Sequence, residues 1–508
     1  NLQSQEPMRK KISCGEAHTV VIADSGMGFA CGEGTYGELG NERFRVTQNL
    51  DMIKNGADND GTDACGRKQI IHVACGAHHT TLITSDGFLY TFGDESHGAL
   101  GHGPNGYYRA IDGNKRSCNI PMLNRFLLSY DYDTTTKFDV KSLRLPVAVN
   151  YAACGDGFTV IVDQSGTVWS WGANTYGNLG VGDTSTRAFP TKVEVLINNQ
   201  EVIKEVHAGS EHVIAIAVQG SCWTWGHGIG GRLGRGDVYD CVVPAYVSHL
   251  STVFVSTGSA GDSHTAIISD SGQMYVWGSG SFGRLGLGDE RDSHVPRLVK
   301  FPLGGREKDN LNVVSNKSSG GSGGSGSGSS SGGSSNGGSG GSGGGSSGGG
   351  GGKEDNDDGE ISLSHDPIVT VACGATNTMS VSASGMLYAS GGGLYGKLGL
   401  GDEHNRNTPT RVVALSHESI TDVACGAFHT MILTSSGVMY GCGFGGALNS
   451  RAGLGVTEAN QLLSANKPKS HSRFLLPTPV KNMPQRAALL EQQETLANGG
   501  VSPRHLMF

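Results

Sequence analysis

Short runs of five or six apolar and β-branched residues recur along the chain. Each is closed by a glycine turn and followed by a run in which aromatic residues stand two apart. The first run reads His264-Thr265-Ala266-Ile267-Ile268 in one copy and His429-Thr430-Met431-Ile432-Leu433 in another, which suits a strand covered on both faces. The turn falls at Gly26, Gly87, Gly166, Gly220, Gly272, Gly385 or Gly437, where a tight hairpin requires positive φ. The second run sets Trp169 and Trp171, Trp223 and Trp225, or Tyr275 and Trp277 on one side of a sheet, because strand side chains alternate. A glycine-rich corner follows, such as TYGELG at Thr35 or FGRLG at Phe282. Next comes a run with a proline: LPVAV at Leu145, FPTKV at Phe189, VPAYV at Val243, VPRLV at Val295, TPTRV at Thr408 and LPTPV at Leu476. Proline is tolerated at a sheet edge and not inside a ladder, so these runs predict outer strands.

Such a unit cannot bury its own apolar faces and must pack on the next. Seven copies of four strands, at a period of about fifty residues, predict an all-β seven-bladed propeller. The first repeat, opening at Ser13, has no proline strand before it, and LPTPV at Leu476 has no repeat after it, while the stretch Asn41 to Lys68 also lacks a proline strand and offers Phe44-Arg45-Val46 in its place. These two orphans predict that the C-terminal strand joins the N-terminal repeat in one composite blade, which removes an exposed edge.

The predicted organisation is propeller repeats one to five over 1–317, a Gly/Ser-rich and acidic loop over 318–360, repeats six and seven with the closing strand over 361–482, and a tail over 483–508. A net charge of −8 argues against general nucleic-acid affinity, which needs phosphate-neutralising bases. No run has the length of a membrane span and none reads as a signal peptide. The 11 cysteines are odd in number and lack CxxC spacing, which argues against a disulfide framework or a zinc site and for a reduced, intracellular protein, cytoplasmic or nuclear. Cys14, Cys75, Cys154, Cys373 and Cys425 share one repeat position with Ala208 and Ala260, so that slot requires a small apolar group.

Candidate chemistry is sparse. His18, His79, His212, His264 and His429 share another repeat position, with Phe158 and Asn377 at the other two. Spacing by whole blades favours a structural hydrogen bond between blades over a metal site. The position before Leu-Gly reads Glu38, Ala99 and Asn178 in three repeats, then Arg232, Arg284 and Lys397 in the next three. Extended by Arg235 and Arg291, this switch predicts a positive arc for an acidic protein surface; its bland reading is solvated loop variation. An insertion from Gly103 to Arg144 carries Tyr107, Tyr108 and Arg109, a basic-aromatic mixture suited to an interaction lobe. There is no nucleophile elbow, phosphate loop or zincin motif, so the chain is read as having no catalytic residue, metal or cofactor.

The combination of CGxxHT, a turn glycine, WG, YGxLG and PxxV resembles the regulator-of-chromosome-condensation repeat family. The resemblance covers nearly the whole chain apart from the Gly/Ser loop and the tail. It implies a seven-bladed propeller used for binding; the founding member is a nuclear exchange factor for the small GTPase Ran that sits on chromatin, and relatives serve in ubiquitin ligases and a plant ultraviolet receptor. The exchange factor's wedge insertion is missing from WGANTYGNLGVGD at Trp171, and Ala77, His78, Gly157 and Phe158 stand where the receptor has tryptophans. No HECT-type domain follows the repeats. The reading is a non-catalytic, monomeric, protein-binding scaffold or adaptor, with guanine-nucleotide exchange on a Ran-like GTPase as the alternative.

Overall fold

The computed structural model describes residues 11–53, 68–103, 117–124, 147–302, 366–446 and 472–480. Segments 318–360 and 483–508, and Tyr107, Tyr108 and Arg109, lie outside the described residues. The described residues form seven four-stranded antiparallel sheets, each a meander in chain order. The innermost strands are Ile12–Cys14, Ile70–Cys75, Val149–Cys154, Ile203–Ala208, Val255–Ala260, Ile368–Cys373 and Ile420–Cys425. The seven turn glycines carry the positive φ that the hairpins require, from 76° to 83°.

Six of the seven outer strands are Thr47–Met52, Arg187–Lys192, Cys241–Tyr246, Ser293–Leu298, Arg406–Arg411 and Ser472–Pro479. The proline runs at Phe189, Val243, Val295, Thr408 and Leu476 fall in or overlap these strands. Two expectations differ. In blade two the outer strand is Ser117–Leu123, inside the predicted insertion, and Gly93 pairs with Cys118; Val149, the last residue of LPVAV, opens the innermost strand of blade three. Closure also differs. Ser472–Pro479 pairs with Met439–Gly446 of its own repeat, and blade one has its own fourth strand, with Phe29 opposite Met52 and Gly32 opposite Thr47. An outer strand needs only backbone pairing groups, which Thr47–Met52 supplies without a proline, so no strand is exchanged between the ends.

Blades seven and one meet directly instead. The Cys14 thiol reaches Ala424 O at 3.6 Å, and Thr19 Oγ1 lies 2.9 Å from His429 Nε2. The glycine after each repeat cysteine or alanine marks this contact: a Cβ on Gly15 would lie 2.4 Å from Gly76 O, on Gly209 2.2 Å from Gly261 O, and on Gly426 2.8 Å from Gly15 O. Backbones approach there too closely for any side chain.

The repeat histidines supply the joint. His18 bonds Thr80 at 3.0 Å, His79 bonds Thr159 at 2.9 Å, His212 bonds Thr265 at 2.8 Å and His264 bonds Thr378 at 2.8 Å. The threonines donate onward, Thr80 to Glu38 O and Thr378 to Arg284 O, so each accepts its histidine's Nε2–H. Burial holds His18 down to about 3 and His79 and His429 down to about 4, which keeps these rings neutral. Between blades three and four both partners change together: Phe158 and Val213 lie in one buried cluster.

Candidate functional site

In a meander, the loops after the first and third strands emerge on one end of the sheet, and the other connections on the opposite end. One face of the propeller therefore carries the CGxxH loops and the YGxLG corners. On the axis, a cavity of about 90 Å³ is lined by innermost strands of all seven blades, with Ser13, Cys75, Tyr151, His207 and Ser259 among its residues.

The described corner loops, those of blades one to six, fall into two conformations, and the residue before Leu-Gly distinguishes them. In blade one, Glu38 accepts the Tyr36 N–H at 2.8 Å. In blades four and five the same peptide unit presents its carbonyl: Arg232 Nε donates to Ile229 O at 3.1 Å and Arg284 Nε to Ser281 O at 3.0 Å. A carboxyl oxygen, which accepts, faces the N–H and a guanidinium, which only donates, faces the C=O, so acceptor or donor character matches the direction of the peptide. Each cation also reaches the next blade: Arg232 to Asp262 O at 3.0 Å, Arg284 to Ala375 O at 2.9 Å, and Lys397 to Ala427 O at 3.0 Å. Burial pushes Glu38 up to about 8 and Lys397 down to about 8.

The reversed peptide puts the following residue in the left-handed region. Gly230 has φ 70°, Phe282 64° and Tyr395 66°, whereas Tyr36, His97 and Tyr176 at the matching positions of blades one to three are not among the positive-φ residues. This backbone favours glycine, and a bulky side chain is strained there. The loops are pinned at their start as well, since Gly228 N–H donates to Asp240, Gly280 N–H to Asp292 and Gly393 N–H to Asn405. Their tips project apolar groups outward: Ile229 is 55% exposed, Phe282 47% and Leu394 54%. The candidate site is this apolar crest on blades four to six.

The predicted positive arc is placed differently from the expectation. Arg232, Arg284 and Lys397 are buried among carbonyls. Arg235 pairs with Asp237 at 2.7 Å and Arg291 with Asp289 at 2.9 Å, and the Arg291 side chain is 85% exposed. The switch in charge was legible; its inward direction was not, because repeat spacing does not show which way a long side chain turns. The crest itself had a sequence signal, Phe282 and Tyr395 where blade four has Gly230.

A family model described as the RCC1-like domain matches residues 3–325, more than half of the chain. The chain belongs to the RCC1-like domain family. Regulator of chromosome condensation (RCC1) repeats match again at 384–433 and 420–447. Among RCC1-like relatives, the ultraviolet-B receptor UVR8 of Arabidopsis thaliana is 30% identical over 378 residues, covering 74% of this chain and 66% of the receptor. The E3 ubiquitin-protein ligase HERC2 of Homo sapiens is 31% identical over 429 residues, 84% of this chain and 7% of the ligase. The chain thus spans less than two thirds of the length of these curated relatives. Prp20p of Saccharomyces cerevisiae, described with its binding properties to Gsp1p and histones, superposes with a TM-score of 0.59 at 17% identity, covering 90% of this chain and 86% of that one; this likeness is one of fold. Among the described residues, no helix is long and apolar enough to cross a membrane.

Proposed function

We propose that this chain is a non-catalytic protein-binding propeller, an intracellular scaffold or adaptor of the cytoplasm or nucleus that takes its partner on the crest of blades four to six. The observation that carries the reading is strain at an exposed place. Phe282 and Tyr395 hold φ near 65°, where glycine would be relaxed, and Phe282 stands in solvent. Such strain persists where the surroundings over-determine it, and clusters at sites that act. Around it the scaffold is fixed by the buried bases and the Asx contacts, so the surface is preorganised for binding. An acidic partner would have Arg235 and Arg291 to meet, each already held by its own aspartate.

The test is recovery of partners on the immobilised chain and on a Phe282→Gly/Leu394→Ser variant, which leaves the buried clamps intact. Proteins retained by the wild type and lost by the variant are expected; an identical set would contradict the crest. Guanine-nucleotide exchange is the second reading, supported by the fold likeness to Prp20p, described with Gsp1p binding. Nucleotide release from a panel of small GTPases tests it: acceleration by the chain establishes exchange, and unchanged rates leave the scaffold reading.

A further inference from the structure

Resting on the reading of the crest as the partner surface, we infer that its occupant is a basic segment of a protein partner carrying apolar anchors. The exposed tips Ile229 and Phe282 are bordered by fixed negative charge, whereas at Leu394 the matching position is the neutral Asn405. Asp240 and Asp292 are exposed, and each is held beside its tip by the N–H of the glycine that opens the loop, both at 2.9 Å. Glu290 is exposed in the same segment as Asp292.

On the axial side, the CGxxH loops of blades three to five bring Asp156, Glu211 and Asp262 into one electrostatic neighbourhood. Asp156 N–H donates to Ser210 O at 3.0 Å, and the Ser210 hydroxyl bonds the Asp262 carboxylate. Burial first, and then the charges of Glu211 and Asp262, raise the Asp156 carboxyl above its usual range. Arg232 lies 3.6 Å from the Glu211 carboxylate and Arg284 is within reach of the Asp262 and Asp292 charges, so these two buried cations offset part of the field, while Asp156, Asp240, Asp292 and Glu290 add further carboxylates around them. Arg235 and Arg291 are each engaged by an aspartate.

An apolar crest in a carboxylate surround complements lysine or arginine alternating with large apolar side chains, and repels acidic peptides, nucleic acid and anionic membranes alike. The cations of such a segment steer the encounter, and its apolar groups cover Phe282 and Leu394. Tight binding then depends on both, with the charge part screened by salt.

Two short fluorescein-labelled peptides with identical Leu and Phe positions test this on the full chain by anisotropy, one with Lys and Arg at the remaining positions and one with Glu and Asp. The cationic peptide is expected to bind at least about tenfold tighter and to weaken as salt rises. Its affinity is expected to fall by about tenfold or more in Phe282→Gly/Leu394→Ser, and several-fold in Glu290→Lys, with circular dichroism and Tm showing that both variants are folded. Equal or tighter binding of the acidic peptide overturns the inference. So does cationic binding that ignores the crest variant, which marks unspecific attraction. If the acidic peptide binds and the crest variant abolishes it, the crest stands as the partner surface and its basic occupant falls.

Discussion

At the residue scale, the joint between blades is a His–Thr–carbonyl relay that the chain has replaced once with a matched apolar pair. Removing one member of a buried hydrogen bond leaves the other unsatisfied, at a cost of about 1–3 kcal/mol, while replacing both by apolar groups is nearly neutral. Phe158 with Val213 is that double replacement. Thr159→Val or His79→Phe alone is therefore expected to destabilise by about 1–3 kcal/mol, and the two together by clearly less than their sum. A urea-denaturation double-mutant cycle measures the difference; additive losses would refute the relay.

The same histidines set a pH dependence. His18, His79 and His429 are held at about 3 to 4, and His212 and His264 well below their ordinary value. Below the unfolded value of 6.5, the unfolded chain therefore takes up protons that the folded chain refuses. Stability falls as pH drops from 6.5 toward 4, by about 1.4 kcal/mol per pH unit for each such histidine. Glu38, raised to about 8, acts oppositely between 4.5 and 8, with one proton against five. Denaturant midpoints at pH 7 and pH 5 check the sign, and His429→Asn, which copies Asn377, is expected to flatten the slope by one proton.

At the scale of the loop, a single side chain matches the direction of a peptide and with it what the loop shows to solvent. Arg284→Glu replaces a donor to Ser281 O by a group that can only accept. It also removes the bond to Ala375 O of the next blade, and charged hydrogen bonds of this kind are each worth about 1.5–3 kcal/mol. A loss of about 3 kcal/mol or more is expected by thermal denaturation. Phe282→Gly removes the positive-φ penalty, about 1–2 kcal/mol against glycine's larger chain entropy, so the variant is expected to match or slightly exceed the wild type in Tm. A clear drop in Tm would show that Phe282 is there for packing. Strand order, turn glycines and most outer strands were legible because period-two alternation and proline at an edge are local rules. The outer strands Thr47–Met52 and Ser117–Leu123 were missed, since neither carries the proline-valine signature. The helix Glu194–Asn198 was missed as well: its five residues show too little periodicity, although it buries Leu196.

At the scale of the molecule, the seven sheets were legible from the repeat, and the manner of closure was not. A first repeat with no proline strand before it and a last proline strand with no repeat after it suggested an exchange, while the structure completes both end blades from their own repeats and joins them through Cys14, Thr19, Ala424 and His429. The candidate site was half legible. The sequence singled out the sector where the charge sign switches, but the bases were read as a partner's target when they are buried and hold that sector's apolar tips in place. Hydrogen–deuterium exchange on the full chain, alone and saturated with the protein recovered by capture, tests the account most directly. Slowed exchange at 227–232, 279–284 and 392–397 is the predicted result. Slowing at the opposite-face turns around Gly166, Gly220 and Gly272, with the crest unchanged, would contradict it.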